Sequence, residues 1–552
     1  MGGTWQENSA VARQRLMDSI PSKWRLQTPP PESQTDVRSV PRDCGLLTER
    51  QLEITEQNAS ELMPQLLNGS LSSVEVTEAF CARAAIAHQC VNCLTDYFSD
   101  EALARAKELD DILAKTGKPV GPLHGLPVGI KDIFHMKGKI LTMGFAAWHN
   151  NRCNSDAAIV QILRNAGVVM VDIAVFFVRT TMPQTGMFLE TWSNLWGRTT
   201  NPHNRGFSAG GSSGGDGSLV AMRGAPFCPS TDIGGSIRAP GAFNGNYAIR
   251  PTAERTARTG FGTLRPGQIS IKVSSGPNCH SIADIKLGTE VLLSLYGLPY
   301  DTTAVPLAWK NVPPKTGKLC FGLMTTDGVV EPHPPCSRAL RETAAKLRAA
   351  GHEVIEFQPP FNCWEAADTT WRLWFQTGAK ESKGLVASAG EPLYPTFSWY
   401  LETFNIQPLT VPELFALNTK QAEYRQKMAE AWYNTKSQTG TGRPIDALIC
   451  PSAPSASFPH GHPVWWGYLS LWNILDYPSI IVPVKNFHID PEEDAKDASY
   501  QPRDNVFDKM NQDIYDPKLW ENLPVTVQVV GQQYEDEELI AVTECLDKVC
   551  NA

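Results

Sequence analysis

No stretch of this sequence approaches the run of about eighteen consecutive apolar residues that crosses a bilayer. The longest candidate, Val168 to Val178, is broken by Asp172. The opening MGGTWQENSAVARQRL has no apolar core, which excludes a secretory leader there. Gly2 follows Met1, but Gln6 stands where N-myristoylation needs Ser or Thr. Positive charge is in deficit: 49 Lys and Arg face 58 Asp and Glu, a net charge of −9. With no basic surplus to displace counterions, a nucleic-acid partner is excluded. A disulfide framework is missing too, because the 13 cysteines are odd in number and scattered. Reduced thiols in the cytoplasm are the expectation. Metal motifs are incomplete. His352-Glu353-x-x-Glu356 lacks the second His of a zinc helix, and His460-Gly461-His462 has no carboxylate cluster beside it. Cys90-Val91-Asn92-Cys93 has redox spacing but no second pair. Neither metal nor cofactor is expected.

What is present is ordinary globular composition, 42% hydrophobic and 19% charged over 552 residues. Residues 1–58 are polar and Pro-rich around Pro29-Pro30-Pro31, and read as a helical arm and an extended strap. A regular pattern follows. Ser72 and Glu75 form a capping box for a helix whose buried face carries Val76, Phe80 and Ala84. A second helix is expected from Ser99 to a stop at Gly117, and a third from a cap at Ser155 to Gly167, before a strand-like run. Further on, a helix over 337–351 precedes a strand over 352–357. Short apolar strands follow at 447–450, 480–482 and 525–530, then a last helix at 535–549. Helices alternating with short buried strands predict an α/β fold: a central mixed β-sheet covered by helices on both faces. The Asp-rich stretch 485–522 reads as a long surface excursion.

Three segments carry chemistry. Gly121-Pro122-Leu123-His124-Gly125-Leu126-Pro127-Val128-Gly129-Ile130-Lys131-Asp132 comes first. Gly210-Gly211-Ser212-Ser213-Gly214-Gly215 is second, and Thr231-Asp232-Ile233-Gly234-Gly235-Ser236-Ile237-Arg238 is third. Each alone is a weak signal. The second lacks the Lys and final Ser/Thr of a phosphate loop. Its Gly210-x-Ser212-x-Gly214 also fits a nucleophile elbow, which would need a late His such as His460 or His462 and an upstream oxyanion motif that is missing here.

Together and in this order, the three resemble the signature of the amidase signature family, most like its fungal acetamidase-type members. The resemblance runs from about residue 60 to the end. It also takes in Ile20-Pro21-Ser22-Lys23-Trp24-Arg25-Leu26, Cys44-Gly45-Leu46-Leu47-Thr48-Glu49-Arg50, Asp327 through Pro335, Gly351-His352-Glu353-Val354 and Trp465-Trp466-Gly467-Tyr468. It implies one large domain over 59–552, with a catalytic core at about 120–260 and a substrate-side segment at about 360–480. The implied activity is cleavage of a carboxylic amide to carboxylate and ammonia or amine. Carried over by position, Ser236 is the acylated nucleophile, Ser212 the bridging serine held by a cis peptide, and Lys131 the base. The backbone N–H groups of Ile233, Gly234, Gly235 and Ser236 are the oxyanion donors. A serine hydroxyl is a poor nucleophile until a base takes its proton. Lysine can do so only when neutral. From a reference of ~10.4, neutrality near pH 7.5 needs a depression of about 3, roughly 4 kcal/mol, which burial can supply. Asp132 is not the expected counter-ion, since neighbouring strand residues face opposite ways. Asp232 and Arg238 are expected to pair around the loop.

Several positions depart from the family pattern. About seven extra residues lie around 171–177, and Arg179-Thr180-Thr181 stands where Lys-Thr-Asn is usual. Cys228-Pro229-Ser230 replaces Gly-x-Gly, Ala248 and Arg250 replace Gly and Lys, and 253–273 is hard to align. The implied partner is a small amide, with a homodimer allowed. Tryptophans at 364–399 and 465–472 suggest an uncharged acyl pocket. The alternative is a pocket formed by 253–273, with Arg179 or Arg258 available as a cationic anchor. Three further readings stay open: a pathway amidase or acyl-transfer enzyme on a larger substrate, an amidotransferase subunit, and an inactive binding or scaffold protein.

Overall fold

Runs of aliphatic residues with no polar side become the centre of the sheet. In the computed structural model, which describes residues 3–165, 174–294, 298 and 301–551, the strands Ala447–Pro451, Thr526–Val530 and Ser479–Pro483 are buried at every position. They lie in an eight-stranded sheet ordered Glu353–Glu356, Cys320–Leu323, Ala447–Pro451, Thr526–Val530, Ser479–Pro483, Tyr247–Arg250, Ser274–Cys279 and Phe227–Asp232. The first three strands are parallel and the later pairings antiparallel, so the sheet is mixed as expected. A smaller sheet holds Leu94–Tyr97, Val175–Thr180 and Pro127–Lys131. Its Pro127–Lys131 edge packs beside Phe227–Asp232 of the large sheet.

Alternation along the strands feeds two cores. Ile449, Val527, Val529, Ile480 and Val482 join Leu340, Leu347, Leu539 and Leu546 on one face. Leu448, Cys450, Val530 and Ile481 meet Trp371, Trp374, Trp466 and Trp472 on the other. A third core surrounds the small sheet, with Val128, Ile130 and Phe177 against Phe80 and Leu109. The helix Trp5–Ser19 inserts Ala12 and Leu16 into that core. It is tied to the rest by Ser9 Oγ donating to the Leu195 carbonyl at 2.7 Å and Arg13 Nε donating to the same oxygen at 2.9 Å.

Most expected elements appear within a few residues of their predicted bounds: Ser99–Thr116 with Gly117 left-handed at its end, Pro334–Ala349, Glu353–Glu356 and Asp536–Cys550. Pro334-Pro335 starts its helix early because a missing N–H costs nothing in the first turn. The cap at Ser72 is half of a box. Ser72 accepts from the Glu75 N–H, while the Glu75 carboxylate turns away to Arg50 at 2.9 Å. The third helix begins at Ala158, not beside Ser155, and its expected stop at Gly167 lies outside the described residues. The same holds for 166–173, which includes part of the inserted stretch. The Asp-rich excursion is more than surface. It forms the helices Val506–Ile514 and Pro517–Trp520, buries Asp494 and Asp508, and packs Phe507 on Trp364, Trp399 and Trp465.

Candidate active site

Lys131 ends the strand Pro127–Lys131 with no solvent exposure. Its Nζ lies 2.7 Å from Ser212 Oγ and 2.9 Å from Thr231 Oγ1. The next residue, Asp132, points the other way. It pairs with buried Arg179 at 2.9 Å and accepts from the Thr142 and Met143 N–H groups. Burial pulls Lys131 from 10.5 down to about 7, against the attraction of Asp216 and Asp232. Asp216 sits in the helix Gly214–Ala221 and accepts from Thr180 Oγ1 at 2.5 Å and Ser230 Oγ at 2.7 Å. Burial pushes it upward to about 6.

The Gly211–Ser212 peptide is cis. A Cβ on Gly211 would stand 2.4 Å from the Phe188 carbonyl oxygen, so only glycine fits that approach. The next residue ties the two serine loops together, its Ser213 N–H donating to the Ser236 carbonyl at 3.2 Å. Ser236 is 2% exposed, and its Oγ makes no hydrogen bond to another protein atom among the described residues. The loop before it is held by Asp232, which accepts from the Gly235 N–H at 2.7 Å, the Ile237 N–H at 3.1 Å and Arg238 Nε at 3.0 Å. The ion pair expected between Asp232 and Arg238 is present, fully buried. It holds the Asp232 carboxyl well below the usual range. Gly235 adopts φ +122, and a Cβ there would meet Leu469 at 2.7 Å.

One expected group is therefore differently employed. The Gly235 N–H is taken by Asp232, which leaves those of Ile233, Gly234 and Ser236 without a protein acceptor among the described residues. Ser212, Thr231, Ile233 and Ser236 line a cavity of about 450 Å³. Its remaining walls come from Ile133, Met143, 185–187 and, above all, 258–273. The tryptophans do not line it. Trp371, Trp374, Trp466 and Trp472 are core, with Trp374 and Trp466 packed behind Gly234, where a Cβ would meet them at 2.5 and 3.1 Å. From 360–480 only Ser382 reaches the cavity. Nor is the cavity uncharged, because Arg258, Arg265 and Lys272 line it. Arg179 is not available as an anchor, being paired with Asp132 inside the protein. Arg250 is likewise held by Asp476 at 2.5 Å. His460, the candidate for an elbow mechanism, is engaged by Glu190 at 2.7 Å and by the Arg205 carbonyl at 2.9 Å. Among the described residues no His, Cys, Asp and Glu cluster could hold a metal ion.

Sequence reasoning overlooked Thr231 and Asp216. Thr231 stands inside a quoted motif, and Asp216 directly follows Gly214-Gly215. An acid in a run of small residues was the available signal.

The Amidase family model matches residues 75–540. An amidase of Gibberella zeae is 47% identical over the whole of both chains. The acetamidase of Emericella nidulans is 37% identical over 100% of this chain and 99% of its own. Among solved structures, a fatty acid amide hydrolase superposes with TM-score 0.91 at 32% identity, covering 99% of this chain and 95% of that one.

Proposed function

The chain belongs to the amidase family and is an amide-hydrolysing enzyme, and on that premise we propose that Ser236, Ser212 and Lys131 perform the hydrolysis through an acyl-enzyme. The observation that carries the reading is the 2.7 Å approach of Lys131 to Ser212 in a fully buried site. Neutral Lys131 takes the Ser212 proton while Ser212 takes that of Ser236. The freed Ser236 oxygen then attacks the amide carbonyl. The N–H groups of Ile233, Gly234 and Ser236 receive the oxyanion, each donor being worth about 3–4 kcal/mol of barrier. The proton returns through Ser212 to the departing nitrogen, which leaves as ammonia or amine. Water adds to the acyl-enzyme by the same route and releases the carboxylate. Thr231 Oγ1, 2.9 Å from Nζ, orients the amine.

We place the catalytic core at about 120–260, with 258–273 forming the acyl side. We take the enzyme to work in the cytoplasm, its thirteen cysteines free, on a small amide. No helix of the described residues is long and apolar enough to cross a membrane.

A fluorophosphonate probe followed by peptide mass spectrometry tests this. Labelling is expected at Ser236, lost in Ser236→Ala and strongly reduced in Lys131→Ala. Labelling of Ser212 would support the elbow reading, and no labelling at all would overturn the serine acyl-enzyme.

A further inference from the structure

The protein as a whole carries a net charge of −9, yet the cavity at Ser236 is lined by Arg258, Arg265 and Lys272 and by no Asp or Glu. Among the described residues Lys272 alone of the three cations has a carboxylate partner, Glu254. Arg265 makes no ion pair among the described residues. Its guanidinium lies 4.5 Å from the ring centroid of Phe375, and its buried Nη1 has no hydrogen-bond partner. The Arg258 guanidinium gives one bond among the described residues, Nη2 to the Thr303 carbonyl at 2.8 Å, and its buried Nε has no partner there. Burial draws Arg265 down to about 10, with Glu381 too weak an attraction to offset it.

Burying a cation is unfavourable unless something compensates it. Two guanidiniums with unused donors on the wall of one substrate-sized cavity await a planar anion, and a carboxylate matches the guanidinium fork. We propose that this enzyme acts on amides that also carry a carboxylate, with Arg265 and Arg258 as the residues that select it. The inference rests on the Ser236 reading, because it takes the cavity to be the one in which the amide is cut. Ile133, Met143, Met187 and Ile271 add apolar surface to the same cavity. The substrate so described is a short apolar chain with an amide at one end and a carboxylate at the other.

The test uses the full chain and matched pairs. Glutaric monoamide against pentanamide places the carboxylate on the acyl side. N-butanoyl-β-alanine against N-propylbutanamide places it on the amine side. The native enzyme is expected to favour the carboxylated member of one pair by about tenfold or more in kcat/KM, the range of a charge-assisted hydrogen bond. Arg265→Gln and Arg258→Gln should each shrink that ratio, Arg265→Lys should keep part of it, and added salt should lower it. Equal rates within both pairs, or a ratio that survives in the double Gln variant, would overturn the proposal. Fluorophosphonate labelling of Ser236 reports separately on the machinery. If the serine is not labelled, the Ser236 reading falls while glutarate binding to Ser236→Ala, measured by calorimetry, still tests the cavity. Binding that disappears in the double Gln background supports the anchor, and no binding refutes it.

Discussion

Replacing Asp216 by Asn isolates what sets the acid limb of activity. Lys131 is held at about 7 although fully buried beside two carboxylates. At 1.36 kcal/mol per pH unit, its fall from 10.5 expresses roughly 5 kcal/mol of preference for the neutral amine. Burial provides that preference and the negative charge of Asp216 opposes it, since a nearby anion favours the protonated form. Removing the charge while keeping the shape should therefore let Lys131 fall further. A fall of about one unit would raise the neutral fraction at pH 6 from roughly a tenth to a half, about a fivefold gain, and less than about twofold at pH 7. The plateau at high pH should drop, because a weaker base transfers protons less effectively. In the native protein Asp216 is itself pushed up to about 6, so the limb belongs to both groups together. In the variant it should become a single titration. Asn keeps one carbonyl acceptor where Thr180 and Ser230 now donate to separate carboxylate oxygens, so a stability loss of about 1–3 kcal/mol is expected alongside. The assay is kcat/KM for a short amide, or the rate of Ser236 labelling, from pH 5 to 9. A limb that stays put or moves to higher pH would refute the assignment of Lys131 as the titrating base under the influence of Asp216.

Gly234→Ala should lower both turnover and melting temperature, since its Cβ would press on Trp374 at 2.5 Å and Trp466 at 3.1 Å. The expected cost is about 1–3 kcal/mol by thermal unfolding, and an unchanged melting temperature would show the loop yields freely. Asp232→Asn removes one partner of a fully buried pair and strands Arg238. A loss of about 3–5 kcal/mol in denaturant unfolding is expected. Its pH signature has a definite sign. Asp232 lies below its unfolded value, so the stability it lends is present above the ordinary Asp range and fades as acid protonates the folded state. The difference between native and variant should shrink only at strongly acidic pH. Ser212→Ala should cut labelling of Ser236 severely while leaving the fold intact, because Ser212 Oγ is the group bridging toward Lys131. Native labelling rates in that variant would remove Ser212 from the relay.

Much of the scaffold was legible because it is written in local periodicity. The runs at 447–450 and 480–482 are apolar without interruption, and they became strands buried on both faces. Ser99 and Gly117 bound their helix as expected, since a left-handed glycine ends a helix by its own backbone. Side-chain partnerships were less legible. Glu75 had the spacing of a capping box, but Arg50, 25 residues earlier in the chain, outcompetes the local N–H. Likewise the tryptophans of 364–399 and 465–472 carried no mark to distinguish core from pocket wall. Trp371 and Trp466 meet edge to face, while Trp364 and Trp465 stack on each other and Phe507 packs against Trp465 from the Asp-rich excursion.

By itself the sequence determined the nature and order of the groups proposed to react. Lys131, Ser212 and Ser236 stand in motifs whose glycines are needed within a residue or two of each serine, and such requirements are local enough to read. It also determined that Lys131 and Asp132 face opposite ways, because alternation is a property of any strand. Only the tertiary structure decided how those groups are tuned and what they meet. Asp216 and Thr231 reach Lys131 from a separate helix and a separate sheet, so their effect on its proton depends on packing between elements. The cavity wall is formed by 258–273, the stretch that the family pattern could not align, and its charge depends on which arginines find partners. Arg179 and Arg250 found Asp132 and Asp476, whereas Arg258 and Arg265 form no ion pair with a carboxylate among the described residues. Pairing of that kind is settled by distances between segments far apart in the chain, which no local pattern of residues encodes.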